Sequence, residues 1–388
     1  MQQTINTQSI MREFAASTGL SDTSREPRRY LWTDAFAVCN YLELYRQTRE
    51  QSFLQLALKL IDQVHRILGR HRKDSVHSGW LSGLDDERAR QHPTRGGLRI
   101  GKRLNERLPG EAVNESLEWE QDGQYFHYLT KWMHALNCVS RDTGKGIFNQ
   151  WALELARVAH AAFTYTPSTG GTKRMYWKMS VDLSRPLVDS MGQHDPLDGL
   201  ITYQQLEVTA KQFPETSSEL SLKIEIDEMV AMCADHSWAT EDALGIGGLL
   251  SDAYKLFQLI DIHHLHETAR LEALLLDIEH SLRVFITHQQ LNLPAEYRLA
   301  FRELGLAIGL HTISRMQKLI EQHPEHFANA KQLTHLLTNL ARFHRIHKLI
   351  EYFWLESGHQ SVENWKKHAD INNVMLATSL APEAYLQL

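Results

Sequence analysis

Carboxylates, histidines and aromatic rings gather in this 388-residue chain at places where an apolar, helix-like run is about to begin. The densest stretch is MYWKMSVDLSRPLVDSMGQHDPLDG, Met175 to Gly199. It holds Trp177, Lys178, Arg185, Gln193, His194, Asp195 and Asp198 with little helical periodicity. Long irregular segments inside a folded domain are commonly functional loops. A second stretch, ESLEWEQDGQYFHYLTKW (Glu115 to Trp132), sets Trp119, Asp122, Gln124, Tyr125 and His127 ahead of the next run. Other helix starts carry Trp32 with Asp34, Glu241 with Asp242, Arg302 with Glu303, and His359 with Trp365 and His368. Such residue types suit acid–base chemistry, in which one group gives a proton, another takes it, and nearby apolar rings tune the donor's pKa. Each Asp taken singly also has a structural reading, because a carboxylate at a helix N-terminus caps free N–H groups and complements the helix dipole.

What positions these residues is an alternation of two kinds of helix. Phe53, Leu56, Ala57, Leu60, Ile61, Val64 and Leu68 recur at the three-four spacing of a helix with one buried face. Leu271 to Phe285, Trp151 to Phe163, Leu220 to Met232 and Leu333 to Ile350 follow the same rule. Between them lie stretches apolar or small on nearly every side: Leu31 to Tyr45, Tyr125 to Val139, Asp242 to Ile260 and Tyr297 to Ile313. A helix that is apolar all round is covered on all sides, so these are inner helices and the others their outer partners. Inner segments begin near Tyr30, Asp122, Asp198, Glu241, Tyr297 and Glu363, and the helix-like Gln8 to Ser17 supplies the partner missing at the C-terminus. The glycines of LGIGGLL (Leu244 to Leu250) and ELGLAIGL (Glu303 to Leu310) point to close approach between inner helices, since glycine otherwise costs a helix about 1 kcal/mol. A small β-hairpin is expected between Gly79 to Leu84 and Gly96 to Gly101.

Six such pairs satisfy every inner helix when they close into an all-α double ring, an (α/α)6 toroid spanning 1–388 as a single domain. All inner helices then run the same way, and their N-termini, with the residues named above, meet at one mouth. Hydrophobic residues at 43%, charged residues at 23% and a net charge of −6 describe a globular chain without the basic excess that nucleic acid requires. No run approaches the roughly 18 apolar residues of a membrane span, and the N-terminus lacks a signal-peptide pattern. Cys39, Cys138 and Cys233 stand in apolar helical patterns, in no pairing or metal-ligand spacing, which suits reduced thiols in a cytoplasmic protein. HHLHE (His263 to Glu267) and His344 with His347 fall on outer, amphipathic helices and read as solvated faces, so no metal is expected. Gly245, Gly247 and Gly248 follow no strand and do not form a dinucleotide loop, and no cofactor is expected. The sequence is silent on oligomeric state.

YLWTDAF (Tyr30 to Phe36) and GWLSGLDDE (Gly79 to Glu87) resemble segments of the six-hairpin toroids shared by many glycoside hydrolases and by the N-acylglucosamine 2-epimerase family. The resemblance implies the toroid fold, a carbohydrate-type cavity and a small-molecule sugar substrate. Glycoside hydrolysis needs two carboxyl groups flanking the bond. Asp122 and Asp195 are the first pair, with Asp34, Asp198 and Asp242 as substitutes and His194 also in the catalytic set. Trp32, Trp119, Tyr125 and Trp177 would stack on sugar faces, while Gln124, His127, Lys178, Arg185, Gln193, Glu303 and His359 would bond its hydroxyls. The alternative chemistry, epimerisation, needs bases on both faces of the sugar, for which His194 and His359 are the pair and His127 and His368 the reserves. A third reading is a catalytically silent toroid that binds a glycan or a protein.

Overall fold

The computed structural model describes residues 2–22, 24–217, 220–234 and 236–388. Its longer helices are α1 (Gln2–Ser17), α2 (Leu31–Thr48), α3 (Gln51–Leu68), α4 (Phe126–Thr143), α5 (Ile147–Phe163), α6 (Asp195–Ala210) and α7 (Lys223–Met232), followed by α8 (Ala243–His263), α9 (Thr268–Thr287), α10 (Ala300–Leu310), α11 (Thr312–Gln322), α12 (Ala330–Ala341), α13 (Ile346–Leu355) and α14 (Ala369–Leu380). Five short strands accompany them: β1 (Gln124–Tyr125), β2 (Thr164–Tyr165), β3 (Arg174–Met175), β4 (Lys178–Met179) and β5 (Pro186–Val188). The chain is all-α. The two classes of helix expected from the sequence are both present. In α3 the buried residues are Phe53, Ala57, Leu60, Ile61, Val64, His65 and Leu68, a single face, whereas α6 buries almost every residue from Asp195 to Leu206.

The contacts divide the chain into two compact units: Ala15–Leu42 with Glu50–Ala234, and Met1–Phe14 with Glu43–Arg49 and Asp235–Leu388. In the first, α4 packs on α5 and α6, and α6 on α7. The irregular Met175 to Gly199 stretch becomes a hairpin, β4 antiparallel to β5, with β1 added on the other side of β4 in the register Gln124 to Met179 and Tyr125 to Lys178. This pairing lays Trp177 beside the start of α4.

In the second unit, α8 packs on α9, α10 and α11, and α10 on α13 and α14. The glycines account for the tight α8–α10 crossing. A Cβ on Gly247 would lie 2.1 Å from the Gly305 carbonyl oxygen, and one on Gly309 would lie 2.5 Å from that of Gly247. Two expected helices are interrupted. The Tyr297 to Ile313 stretch is helical from Ala300 and passes at His311 directly into α11, and Leu333 to Ile350 is split into α12 and α13.

The hairpin expected within 79–101 does not form. Asp85 accepts hydrogen bonds from the Glu87 and Arg88 N–H groups and starts a helix at Asp86–Gln91. Around the Gly97 turn (φ +72°) the backbone is satisfied by a side chain instead of a strand, because Gln124 accepts from the Leu98 N–H and donates to the Gly96 carbonyl.

Candidate functional site

In the first unit, α6 begins at Asp195 and Asp198, one turn apart, beside α4 residues that follow β1. Asp198 accepts from the Thr130 hydroxyl at 2.5 Å and is ion-paired with Lys131 at 2.7 Å. Among the described residues Asp195 is ion-paired with no lysine or arginine. One of its carboxylate oxygens is buried without a hydrogen-bond partner, and the other lies 3.6 Å from His127 Nδ1, which is also buried and unbonded. Its carboxyl group rests against Gly192, where a Cβ would come within 2.5 Å of Oδ2. Burial, reinforced by the charge of Asp198 and opposed by Lys131, pushes the Asp195 pKa up to about 8. Burial pushes His127 down to about 4. At neutral pH the pair is therefore a carboxylic acid facing an uncharged imidazole, both with hydrogen-bonding capacity unspent.

A run of rings lies next to this pair. Trp177 stacks toward His127 with centroids 6.3 Å apart and lies 5.8 Å from Tyr125. Trp119, half exposed, meets Trp177 edge-on at 5.0 Å. Tyr125 continues to Tyr128 at 5.2 Å, and Tyr128 shares a 2.7 Å hydroxyl contact with Tyr30 and lies 6.4 Å from Trp32. Rings next to a buried acid form the mixed wall that accommodates a polar ligand with an apolar face.

Other expected residues are engaged structurally. Asp122, fully buried, is paired with Arg99 at 2.8 Å and accepts from the N–H groups of Gly101, Lys102 and Gly123. Asp34 pairs with Arg29 at 3.3 Å and accepts from the Tyr30 N–H, closing the first turn of α2. Gln124 also donates to the Val181 carbonyl, so its amide ties the turn at 96–98 to the backbone at Val181. Lys178, fully buried, donates to Glu118 and to the Gln121 carbonyl under the Tyr125 ring, and Arg185 reaches the Arg107 carbonyl. His194 is the residue preceding α6, and Gln193 beside it is exposed.

Three expected residues belong to the second unit. Asp242 caps α8 through the Gly245 N–H and pairs with Arg302. Glu303 is clasped by Arg298 at 2.8 and 2.6 Å and by the Trp354 indole N–H at 2.8 Å. His359 stacks on Phe353 at 3.8 Å, with its Nδ1 2.7 Å from the Phe353 carbonyl.

Sequence reasoning missed Thr130 and Gly192. Thr130 was detectable one turn after His127, on the same helix face. A cleft of about 310 Å³ lined by Leu58, Ile61, His65, Trp80, Phe148 and Trp151 includes none of the acids expected from the sequence. Among the described residues, three side-chain groups have metal-ligand composition: Cys39, His134 and Cys138; Asp261, His323 and His326; and His311, His347 and Glu351. They bring together cysteines and histidines whose sequence spacing had not signalled a site.

No protein-family profile and no curated protein matches the sequence. Among solved structures, the GH76 alpha-mannanase of Bacteroides thetaiotaomicron aligns over 97% of this chain and 96% of its own, with a TM-score of 0.52 and 8% identity. The cellobiose 2-epimerase of Spirochaeta thermophila aligns over 87% and 84%, with a TM-score of 0.46 and 13% identity. That of Bacillus thermoamylovorans aligns over 81% and 75%, at 0.44 and 8%. The mannanase alignment runs nearly end to end, and the chain has the all-α (α/α)6 toroid fold. Among the described residues no helix is long and apolar enough to cross a membrane.

Proposed function

We propose that the chain is a carbohydrate-active enzyme that hydrolyses a glycosidic bond in a small-molecule sugar held against the Trp119, Trp177 and Tyr125 rings. Asp195 donates the proton to the leaving oxygen. Asp198, ion-paired with Lys131, is the second carboxylate of the pair. Residues 1–388 act as one toroid domain in this reading, and the chemistry is proton transfer without a cofactor. The observation that carries it is Asp195 itself, a buried carboxyl that keeps its proton to about pH 8 and has an oxygen with no partner. A general acid working near neutrality needs such a pKa.

A second reading rests on His127, whose neutral ring presents an unbonded Nδ1 beside the same rings and so suits proton abstraction from a free sugar, as in epimerisation. One experiment separates the two. Aryl-glycosides and free aldoses are offered to the wild type, Asp195→Asn and His127→Gln in deuterated water. Hydrolysis predicts aglycone release that Asp195→Asn lowers by about 10²- to 10⁴-fold, falling as pH rises through about 8. Epimerisation predicts solvent deuterium in the recovered sugar, lost in His127→Gln. Turnover indifferent to both substitutions overturns both readings.

A further inference from the structure

The second unit holds a side-chain cluster with no part in the proposed sugar chemistry. His311 sits at the elbow where α10 passes into α11, and His347 and Glu351, four residues apart, share one face of α13. Their ligand atoms lie within 4.8 Å of one another, with His311 Nε2 2.7 Å from Glu351 Oε1 and the two rings 4.1 Å apart. His347 and Glu351 are each 4% exposed and His311 is half-buried.

We propose that His311, His347 and Glu351 form a binding site for a divalent transition-metal ion, Zn²⁺ in the first instance, with the fourth coordination position open to solvent on the His311 side. Two imidazoles and one carboxylate are the donor set of a zinc site with three protein ligands and one exchangeable position.

The surrounding hydrogen bonds orient the ligands. His347 Nδ1 donates to the His344 carbonyl, which leaves the lone pair on Nε2 for a metal. His344 itself is turned away by its bond to the Leu310 carbonyl at 3.1 Å. The Ser379 hydroxyl, from α14, donates to Glu351 at 2.6 Å and holds the carboxylate in place.

The charge balance points the same way. Glu351 is a buried carboxylate whose one ionic partner among the described residues is an imidazole. A buried charge with so weak a counter-ion is costly, and a divalent ion supplies what is missing.

The test uses the full chain, stripped with a chelator and titrated with Zn²⁺ against a chromophoric competitor, and with Co²⁺ to read the visible absorption of a four-coordinate centre. One equivalent is expected to bind. Glu351→Gln and His347→Gln should each weaken binding by more than about 100-fold, and Ser379→Ala by about 10- to 100-fold as for loss of an outer hydrogen-bond partner. His323→Gln, in the separate Asp261 cluster, should leave it unchanged. Absence of stoichiometric binding, or binding that survives Glu351→Gln, His347→Gln and Ser379→Ala, overturns the proposal. If a ligand variant does not fold, the Co²⁺ spectrum of the wild type and of Ser379→Ala decides. Activity on sugars plays no part in the readout, so this site stands or falls apart from the Asp195 chemistry.

Discussion

Asp195→Asn isolates the physical claim on which the proposed chemistry depends. The substitution keeps the shape of the protonated side chain and removes its ability to ionise. In the wild type the folded chain holds the Asp195 proton to about pH 8, while the unfolded chain releases it near the ordinary aspartate value of 3.8. Between those limits the folded state binds more protons than the unfolded one. The sign follows: the wild type loses stability as pH rises through the window, and it suffers no such loss below about pH 4. Each pH unit within the window costs about 1.4 kcal/mol, so across about four units the loss reaches about 6 kcal/mol for a fully desolvated group. The Asn variant carries no such dependence. Denaturant unfolding of both proteins at half-unit steps from pH 4.5 to 8 is the assay. The Asn-minus-wild-type difference in unfolding free energy should grow steadily with pH, while activity is lost at every pH. Parallel stability profiles would refute the argument, because they would mean that Asp195 ionises in the fold as readily as in water.

Other consequences are measurable in the same way. Lys131→Met leaves Asp198 without its 2.7 Å ammonium partner and should cost about 3–5 kcal/mol, read by denaturant unfolding. The same variant should move the alkaline limb of activity upward, since Lys131 opposes the rise of the Asp195 pKa. Gly247→Ala drives a methyl group into the Gly305 carbonyl and should lower stability by about 1–3 kcal/mol, seen as a lower unfolding midpoint. Trp119→Ala removes a half-exposed ring at the outer end of the aromatic run and should weaken sugar binding by about 0.5–1.5 kcal/mol, appearing in KM with the unfolding midpoint unchanged.

Much of the architecture is legible in the amino-acid order, because burial on one face and burial on every side leave different periodic marks. The α3 pattern at Phe53, Ala57 and Leu60, and the nearly unbroken apolar or small residues of α8, distinguish outer from inner helices before any coordinate is known. The glycines of α8 and α10 announce a close crossing for a similarly local reason. The Met175 to Gly199 stretch is also conspicuous, since so many polar and aromatic residues without a period cannot pack as a plain helix. What the order of residues does not contain is the partner each polar group finds across the fold. Asp122 and Asp195 look alike as acids ahead of inner helices. Asp122 meets Arg99 and three backbone N–H groups, while Asp195 meets an uncharged ring and a glycine. The absent hairpin at 79–101 has the same origin, because Gln124, distant in sequence, satisfies the backbone that a strand would have paired. His347, which with His344 reads from the sequence as part of a solvated face, is buried in α13, where the α10–α11 elbow brings His311 against Glu351. Helical periodicity is set by neighbours within a turn or two, which the chain spells out. Ionisation and hydrogen bonding depend on groups tens of residues away, and only the tertiary structure decides which of them arrive.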